Sequence, residues 1–312
     1  MSGFSSGTVL LTGGFGFIGS HVREALGSRG TPVRVLAHRA GADATEVVRG
    51  DLADPASLRG ICRGVGTLVH TASVIDGGEE ECWAVNERGT AALVAEARRA
   101  GVRRIVYVST AAVYGEGVHR GIAEDEVEPA PVSPTSRSRL LAERSVLAAG
   151  GTVLRPMFVY GAGDRWFVPA VAELVRRLSA RPAGGAARLS LISVHALAEA
   201  VCAVALRRAA GLEGAVLHAA HPVPTTLAEI LDVLAAESLA PAVTDGIGHD
   251  RAVAVLGAAA ARRLSLLGQD HYYDSTRLWR SVDVSPGAGF RETCPRYAHW
   301  YRDALSTARP PG

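Results

Sequence analysis

Lysine is absent from this chain: all 33 basic residues are arginine. No lysine Schiff base, lysine general base or lysine ribose clamp is therefore available to it. Cysteine is scarce. Cys62, Cys82, Cys202 and Cys294 stand far apart, without a C-x-x-C pair, and read as reduced thiols of a cytoplasmic protein rather than a disulfide frame or zinc site. The histidines lack metal-ligand spacing as well, so no metal is expected. Charge of either sign is not in excess: the formal net charge is +2 over 312 residues, with no basic run. That argues against nucleic acid or an anionic membrane as the main partner. The first apolar stretch has no charged region before it and is broken by Gly13, Gly14, Gly16 and Gly19, so it is read as neither signal peptide nor membrane span. No serine sits on a G-x-S-x-G elbow between a strand and a helix ("GFSSG" at 3–7 precedes the first expected strand), and a Ser-His-Asp hydrolase is not expected.

What is present is an ordinary globular composition, 48% apolar and 21% charged, in a chain long enough for a large core. Short β-branched runs at 8–12, 32–37, 67–70, 104–109 and 151–156 predict buried strands. Between them, 17–30 and 83–101 predict amphipathic helices that close at glycine. This alternation implies an α/β fold, a Rossmann-type doubly wound parallel sheet, over residues 1–164. Residues 165–312 are expected to form a smaller substrate-binding part, some of it returning to the first unit. Helices are expected there at 165–181, 195–209, 225–237, 250–266 and 289–305, with a short strand at 186–192. Residues 165–191 suit a lid.

"TGGFGFIGSHV" (12–22) joins the first strand to the first helix. Gly13, Gly16 and Gly19 have the spacing of a dinucleotide turn, which needs positive φ and close approach of a pyrophosphate to backbone. Phe15, Phe17 and Ile18 belong to the same expected contact. The second strand ends in "VLAHRAG", with no acid to hold a ribose 2′-hydroxyl. His38 and Arg39 stand there instead, and Arg39 can grip a 2′-phosphate, so NADP(H) is the expected cofactor. Asp51 and Leu52 of "GDLAD" are placed to hold the adenine.

These stretches, with "HTAS" (70–73), "VNERGT" (85–90), "VSTAAVYG" (108–115), "RPMFVYGAGD" (155–164) and "GFRETCPRYAHWYR" near the end, resemble the extended short-chain dehydrogenase/reductases of the NAD(P)-dependent epimerase/dehydratase type. The likeness runs from residue 8 to about 303. It implies that Thr71, Ala72 and Ser73 line the cofactor, and that Pro156, Phe158 and Val159 approach the nicotinamide. Thr110 then matches the family's catalytic serine or threonine, with Ser109 beside it. The helices flanking 83–100 and 133–149 are where the family often pairs, which leaves monomer or homodimer open.

One stretch departs from the family. "SPTSRSRLLAE" (133–143) has Thr135 where the family has its catalytic tyrosine and Arg139 where it has its lysine. An aliphatic hydroxyl is a far weaker acid than a phenol of pKa about 10, and a guanidinium of pKa above about 12 gives up no proton near neutrality. Arg139 can still contact the ribose. Tyr107, Tyr114 and Tyr160 read as strand or turn residues, and His70, His195, His218 and His221 as structural. Within the family this pattern is similar to atypical, tyrosine-less reductases of aromatic polyketides. It implies an NADPH-dependent ketoreductase of an angucyclinone-like carbonyl, whose proton comes from the substrate or solvent. The alternatives are a non-redox NADP(H)-binding sensor or structural protein, and a sugar-nucleotide epimerase or dehydratase. The segments expected to hold substrate are 73–83, 115–134 and 166–191.

Overall fold

The computed structural model describes residues 7–38, 46–206 and 211–307. Seven parallel strands form the main sheet: β1 Thr8–Thr12, β2 Val33–Ala37, β3 Glu46–Arg49, β4 Val65–His70, β5 Arg104–Val108, β6 Thr152–Arg155 and β7 Val216–His218. Their order is β7-β6-β5-β4-β1-β2-β3. The chain builds from β1 to β3 on one side, then crosses back and builds from β4 to β7 on the other. The reversal leaves a crevice at the carboxyl ends of β1 and β4, the place where open parallel sheets bind ligands. The fold is the expected doubly wound α/β sheet. Two of its strands, β3 and β7, are not evident in the apolar pattern: β3 carries charged residues at both ends, and β7 is three residues long.

The helices of eight or more residues are α1 Phe17–Gly27, α2 Thr90–Arg99, α3 Pro134–Ala148, α4 Val168–Leu178, α5 Val194–Leu206, α6 Leu227–Ala236, α7 His249–Leu256, α8 Ala261–Gly268 and α9 Ala298–Thr307. The strands are apolar on both faces because helices cover both. On one side Val9 and Leu11 pack against Val22 and Leu26 of α1 and Leu197 and Val201 of α5. On the other, Leu10 and Leu68 pack against Leu93 of α2 and Val146 of α3. Each such side chain, fully buried, stabilises the fold by roughly 1.5–3 kcal/mol. Thus α5 and β7 return to the sheet after the chain has left it for α4.

A second core joins Phe167, Val171 and Leu174 to Ile230, Leu234, Leu264, Leu267 and Tyr301. A four-stranded sheet runs Thr225–Thr226, Arg188–Leu189, His271–Tyr273, His119–Ile122. No helix among the described residues is long and apolar enough to cross a membrane.

Several element expectations are corrected. The helix expected at 250–266 is two helices, α7 and α8, parted at Gly257 and a 3-10 turn over Ala258–Ala260. That expected at 289–305 is a turn of helix at Phe290–Thr293, a 3-10 turn at Cys294–Tyr297 and then α9. Pro295 has no N–H to continue the helical ladder there. The strand expected at 186–192 is two strands, Arg188–Leu189 and Leu191–Ser193, in different sheets. The helix expected at 165–181 begins only at Val168, because Asp164 accepts hydrogen bonds from the backbone N–H groups of Trp166, Phe167 and Val168 and so shapes the turn before it. Residues 83–101 are helical, but open with a π-helical segment at Trp83–Gly89.

Candidate active site

The turn after β1 is set by close approach. Gly13 has φ +69°, and a Cβ there would lie 2.7 Å from Ala72 N. A Cβ on Gly19 would lie 2.1 Å from the Gly13 carbonyl oxygen. Thr71 Oγ1 donates to Thr12 O at 2.7 Å, locking the ends of β4 and β1 together. Gly19 and Thr71 therefore build the turn. Behind it His70 lies between two hydroxyls, Nδ1 2.6 Å from Thr12 and Nε2 2.8 Å from Thr90. Burial pushes its pKa down to about 3, so it is neutral and structural.

Helix α1 starts after Gly16 with no side-chain cap and no acidic residue in its first turn. Its leading N–H groups and the positive end of its dipole are left for an anion. A cavity lies on either side of this point. One, of about 710 Å³, is lined by Gly13, Phe15 and Gly16 of the turn, His38 at the end of β2, Asp51 and Leu52, and Ala72 and Ser73 after β4. Arg39 lies outside the described residues. The other, of about 450 Å³, is lined by Phe17 and Ile18 of α1, Ser109 and Thr110 after β5, Thr135 and Arg139 of α3, and Pro156, Phe158 and Val159 after β6.

Within the second cavity the hydroxyls differ. Thr135 Oγ1 donates to the Ile75 carbonyl at 2.7 Å, with Cys82 Sγ 3.7 Å away, so its proton is already engaged in holding the 75 loop. Thr110 Oγ1 accepts from Ala112 N at 3.1 Å and caps the short turn leading to Tyr114. Ser109 is buried, and its Oγ has no hydrogen-bond partner among the described residues. Arg139 donates through Nη2 to Val108 O and lies 5.9 Å over the Tyr107 ring, while its buried Nε has no partner among the described residues. Asp164, at the mouth of α4, accepts three backbone N–H bonds and the Tyr301 hydroxyl. Burial pushes this carboxyl up in pKa, and those four donors work against the shift.

None of the three tyrosines weighed from sequence lines either cavity. Tyr107 is buried, its phenol pushed up in pKa by burial. Tyr114 belongs to a buried chain: Arg155 Nε donates to Glu143 Oε1 at 3.0 Å, Arg155 Nη1 donates to Tyr114 Oη at 2.8 Å, and Tyr114 Oη is 2.7 Å from His218 Nε2. Burial holds His218 down at about 4. Tyr160 packs edge-on to Phe290. His195 is exposed on α5.

Sequence reasoning assigns no role to Asn86, the chain's only asparagine. The π-helical segment turns it inward, where its amide brackets Val74: Nδ2 donates to Val74 O at 2.9 Å and Oδ1 accepts from Val74 N at 2.8 Å. Nδ2 also reaches Ser138 Oγ of α3 at 3.1 Å. A π-bulge of this kind often marks a functional site, and "VNERGT" holds the one clue in sequence. The walls contributed by Trp166 and Phe167 fall within the segments expected to hold substrate, whereas those from α8 do not.

A glycine cradle, an uncapped helix start and a cavity on either side of that start define a Rossmann protein with a site for a nicotinamide dinucleotide. The unpartnered Ser109 Oγ and Arg139 Nε, both beside the half of the site where the reactive ring would lie, fit such a group. The comparisons agree. The model of the NAD dependent epimerase/dehydratase family matches residues 9–220, and the chain belongs to that family. It is 30% identical over 278 residues to a 2-alkyl-3-oxoalkanoate reductase of Stenotrophomonas maltophilia, covering 83% of this chain and 84% of that protein. It is 32% identical over 183 residues to a 4-hydroxy-2-methyl-3-oxo-4-farnesyl-3,4-dihydroquinoline-1-oxide ketoreductase of Stigmatella aurantiaca, covering 53% and 54% of the two chains. A short-chain dehydrogenase/reductase superfamily protein from Agrobacterium tumefaciens, solved with bound NAD, superposes with a TM-score of 0.77 at 21% identity, over 96% of this chain and 98% of that one.

Proposed function

We propose that this protein is an NADPH-dependent ketoreductase whose substrate supplies the proton that the family's tyrosine would give. The observation that carries the reading is the chemistry of the second cavity. Among its described lining residues no side chain hands over a proton near neutrality: Thr135 gives its hydrogen to Ile75 O, Arg139 stays charged, and Asp164 already accepts four hydrogen bonds. The two relatives described above are named as a reductase and a ketoreductase, which supports carbonyl reduction over epimerisation.

The start of α1 would hold the pyrophosphate of a nicotinamide dinucleotide and Arg139 its ribose; such a cofactor, when bound, would supply the hydride. Ser109 Oγ, with Thr110 next to it, donates a hydrogen bond to the substrate carbonyl oxygen as charge builds there. Phe158 and Phe167 keep water from the reacting carbon. A phenol adjacent to that carbonyl passes its proton to the new alkoxide, and the phenolate recovers one from solvent. Aromatic polyketides of the angucyclinone type carry such a phenol beside a ketone. The sequence resembles the angucyclinone 7-ketoreductase of simocyclinone biosynthesis in lacking the tyrosine. NADPH over NADH rests on the missing acid after β2 and on Arg39.

The test uses NADPH deuterated at C4 in each stereochemical form, with a panel of angucyclinones. With one of the two forms the expected product is three mass units heavier than substrate, having gained one deuterium from the cofactor and one proton; with the other form it is two units heavier and unlabelled. O-methylation of the neighbouring phenol should slow reduction by roughly 10²–10⁴-fold, the usual contribution of a general acid. Bound NADPH with no label in any ketone would favour a non-redox, cofactor-holding protein instead. An undiminished rate with the methylated analogue would place the acid elsewhere.

A further inference from the structure

The second cavity has a cationic wall that hydride transfer does not need. Helix α8 presents Leu266 and Leu267 to it, and one turn earlier Arg262 and Arg263 line the same space. At i and i+4 these pairs share a helix face, so the arginine stems lie along the apolar wall and carry their guanidinium groups to its mouth.

Little in the protein offsets that charge. Arg262 Nε has one acidic neighbour, Glu116 Oε1, at 3.9 Å, and both side chains are exposed, at 41% and 63%. An exposed pair at that separation is worth little and is easily exchanged for another anion. Arg263 has no hydrogen bond or ion pair among the described residues. The acid deeper in the cavity, Asp164, is taken up by three backbone N–H groups and Tyr301. Arg139 adds a third guanidinium from α3. Ile75, Met157, Phe158 and Trp166 add apolar wall beside the hydroxyls of Ser133, Thr135 and Ser136. A ligand complementary to such a space is a flat apolar body bearing one oxyanion.

We infer that the substrate carries an acidic oxygen group, a carboxylate or an acidic enol or phenol, on the part that reaches α8, and that Arg262 and Arg263 receive it. This rests on the ketoreductase reading and narrows its substrate to an anionic polycyclic ketone. The arginines are specificity residues and take no part in proton or hydride transfer.

The test reads binding without turnover, so its outcome is separate from whether hydride is transferred. Protein with and without saturating NADP+ is titrated with anthraquinone-2-carboxylate and with anthraquinone-2-carboxamide by calorimetry at low salt. The acid should bind about tenfold more tightly than the amide, the scale of one charge-assisted contact. The R262Q/R263Q double variant should bring the two to parity, and R262K/R263K should keep most of the preference. Circular dichroism of each variant checks that α8 is retained. Equal binding of acid and amide, a preference that survives the double glutamine variant, or binding of neither compound would overturn the inference. So would displacement of the acid by UDP, which would make the arginines a nucleotide-phosphate site.

Discussion

The dinucleotide crevice and the substrate cavity flank the first turn of α1, yet they are made of different material. The crevice is drawn mainly from the turns that follow β1, β2, β3 and β4, and its defining residues are glycines. The cavity is side chains, gathered from α1, the ends of β5 and β6, α3, α4 and α8. A site made by one strand–turn–helix unit has its geometry written in adjacent residues. A site assembled from six elements depends on how two cores pack together, and tolerates exchange of any one wall.

The largest test of this contrast is Gly19→Ala. With the Gly13 carbonyl 2.1 Å from the new Cβ, backbone must move, and dinucleotide affinity should fall by roughly 100-fold or more, about 2.7 kcal/mol or more. Fluorescence titration with NADPH measures this; retained affinity would show the crevice to be more pliable than a backbone-built site should be.

Next is Glu143→Gln. Glu143 and Arg155 are nearly fully buried, and removing one partner leaves a buried charge exposed to no compensation, at about 3–5 kcal/mol. Arg155 ends β6, just before the cavity-lining Pro156. Urea unfolding should show the loss, while NADPH affinity of the folded fraction stays near its original value.

A smaller, graded effect is expected with pH. Burial holds His70 at about 3 and His218 and His271 at about 4, all below the ordinary 6.5. Their folded forms prefer the neutral ring, so this stability is full above pH 6.5 and is lost as pH falls towards 4. Each histidine contributes on the order of 1 kcal/mol per pH unit in that window. The melting temperature should drop between pH 7 and 5, and His271→Gln should make the drop shallower.

The smallest expected effect is at Thr135→Val. If its hydroxyl serves only to hold Ile75 O, ketone reduction should change by no more than about fivefold; a loss of 10²–10⁴-fold would make it the acid after all.

How much was legible in sequence follows the same divide. "TGGFGFIGSHV" predicts both the turn and the helix behind it, because close approach admits only glycine at 13 and 19. The central strands stand out because both faces are buried and their residues are uniformly apolar. The π-helical segment is hidden, since one extra residue in a helix leaves the apolar rhythm almost intact; only the lone Asn86 hints at it. The split of 250–266 is masked by alanines, which suit a helix whether or not it breaks. Nothing in the sequence singles out the α8 arginines; only the folded chain sets them beside Leu266 and Leu267 on one cavity wall.

Strand β7 has one more consequence. It arrives some sixty residues after β6, and His218 within it meets Tyr114 from the first half of the chain. A fragment stopped at residue 164 would keep every glycine of the nucleotide turn, yet would show an unpaired sheet edge at β6 and strip α1 of the helix that covers it. Such a fragment should aggregate when expressed alone and become soluble when co-produced with residues 165–312, as two pieces of one interrupted sheet.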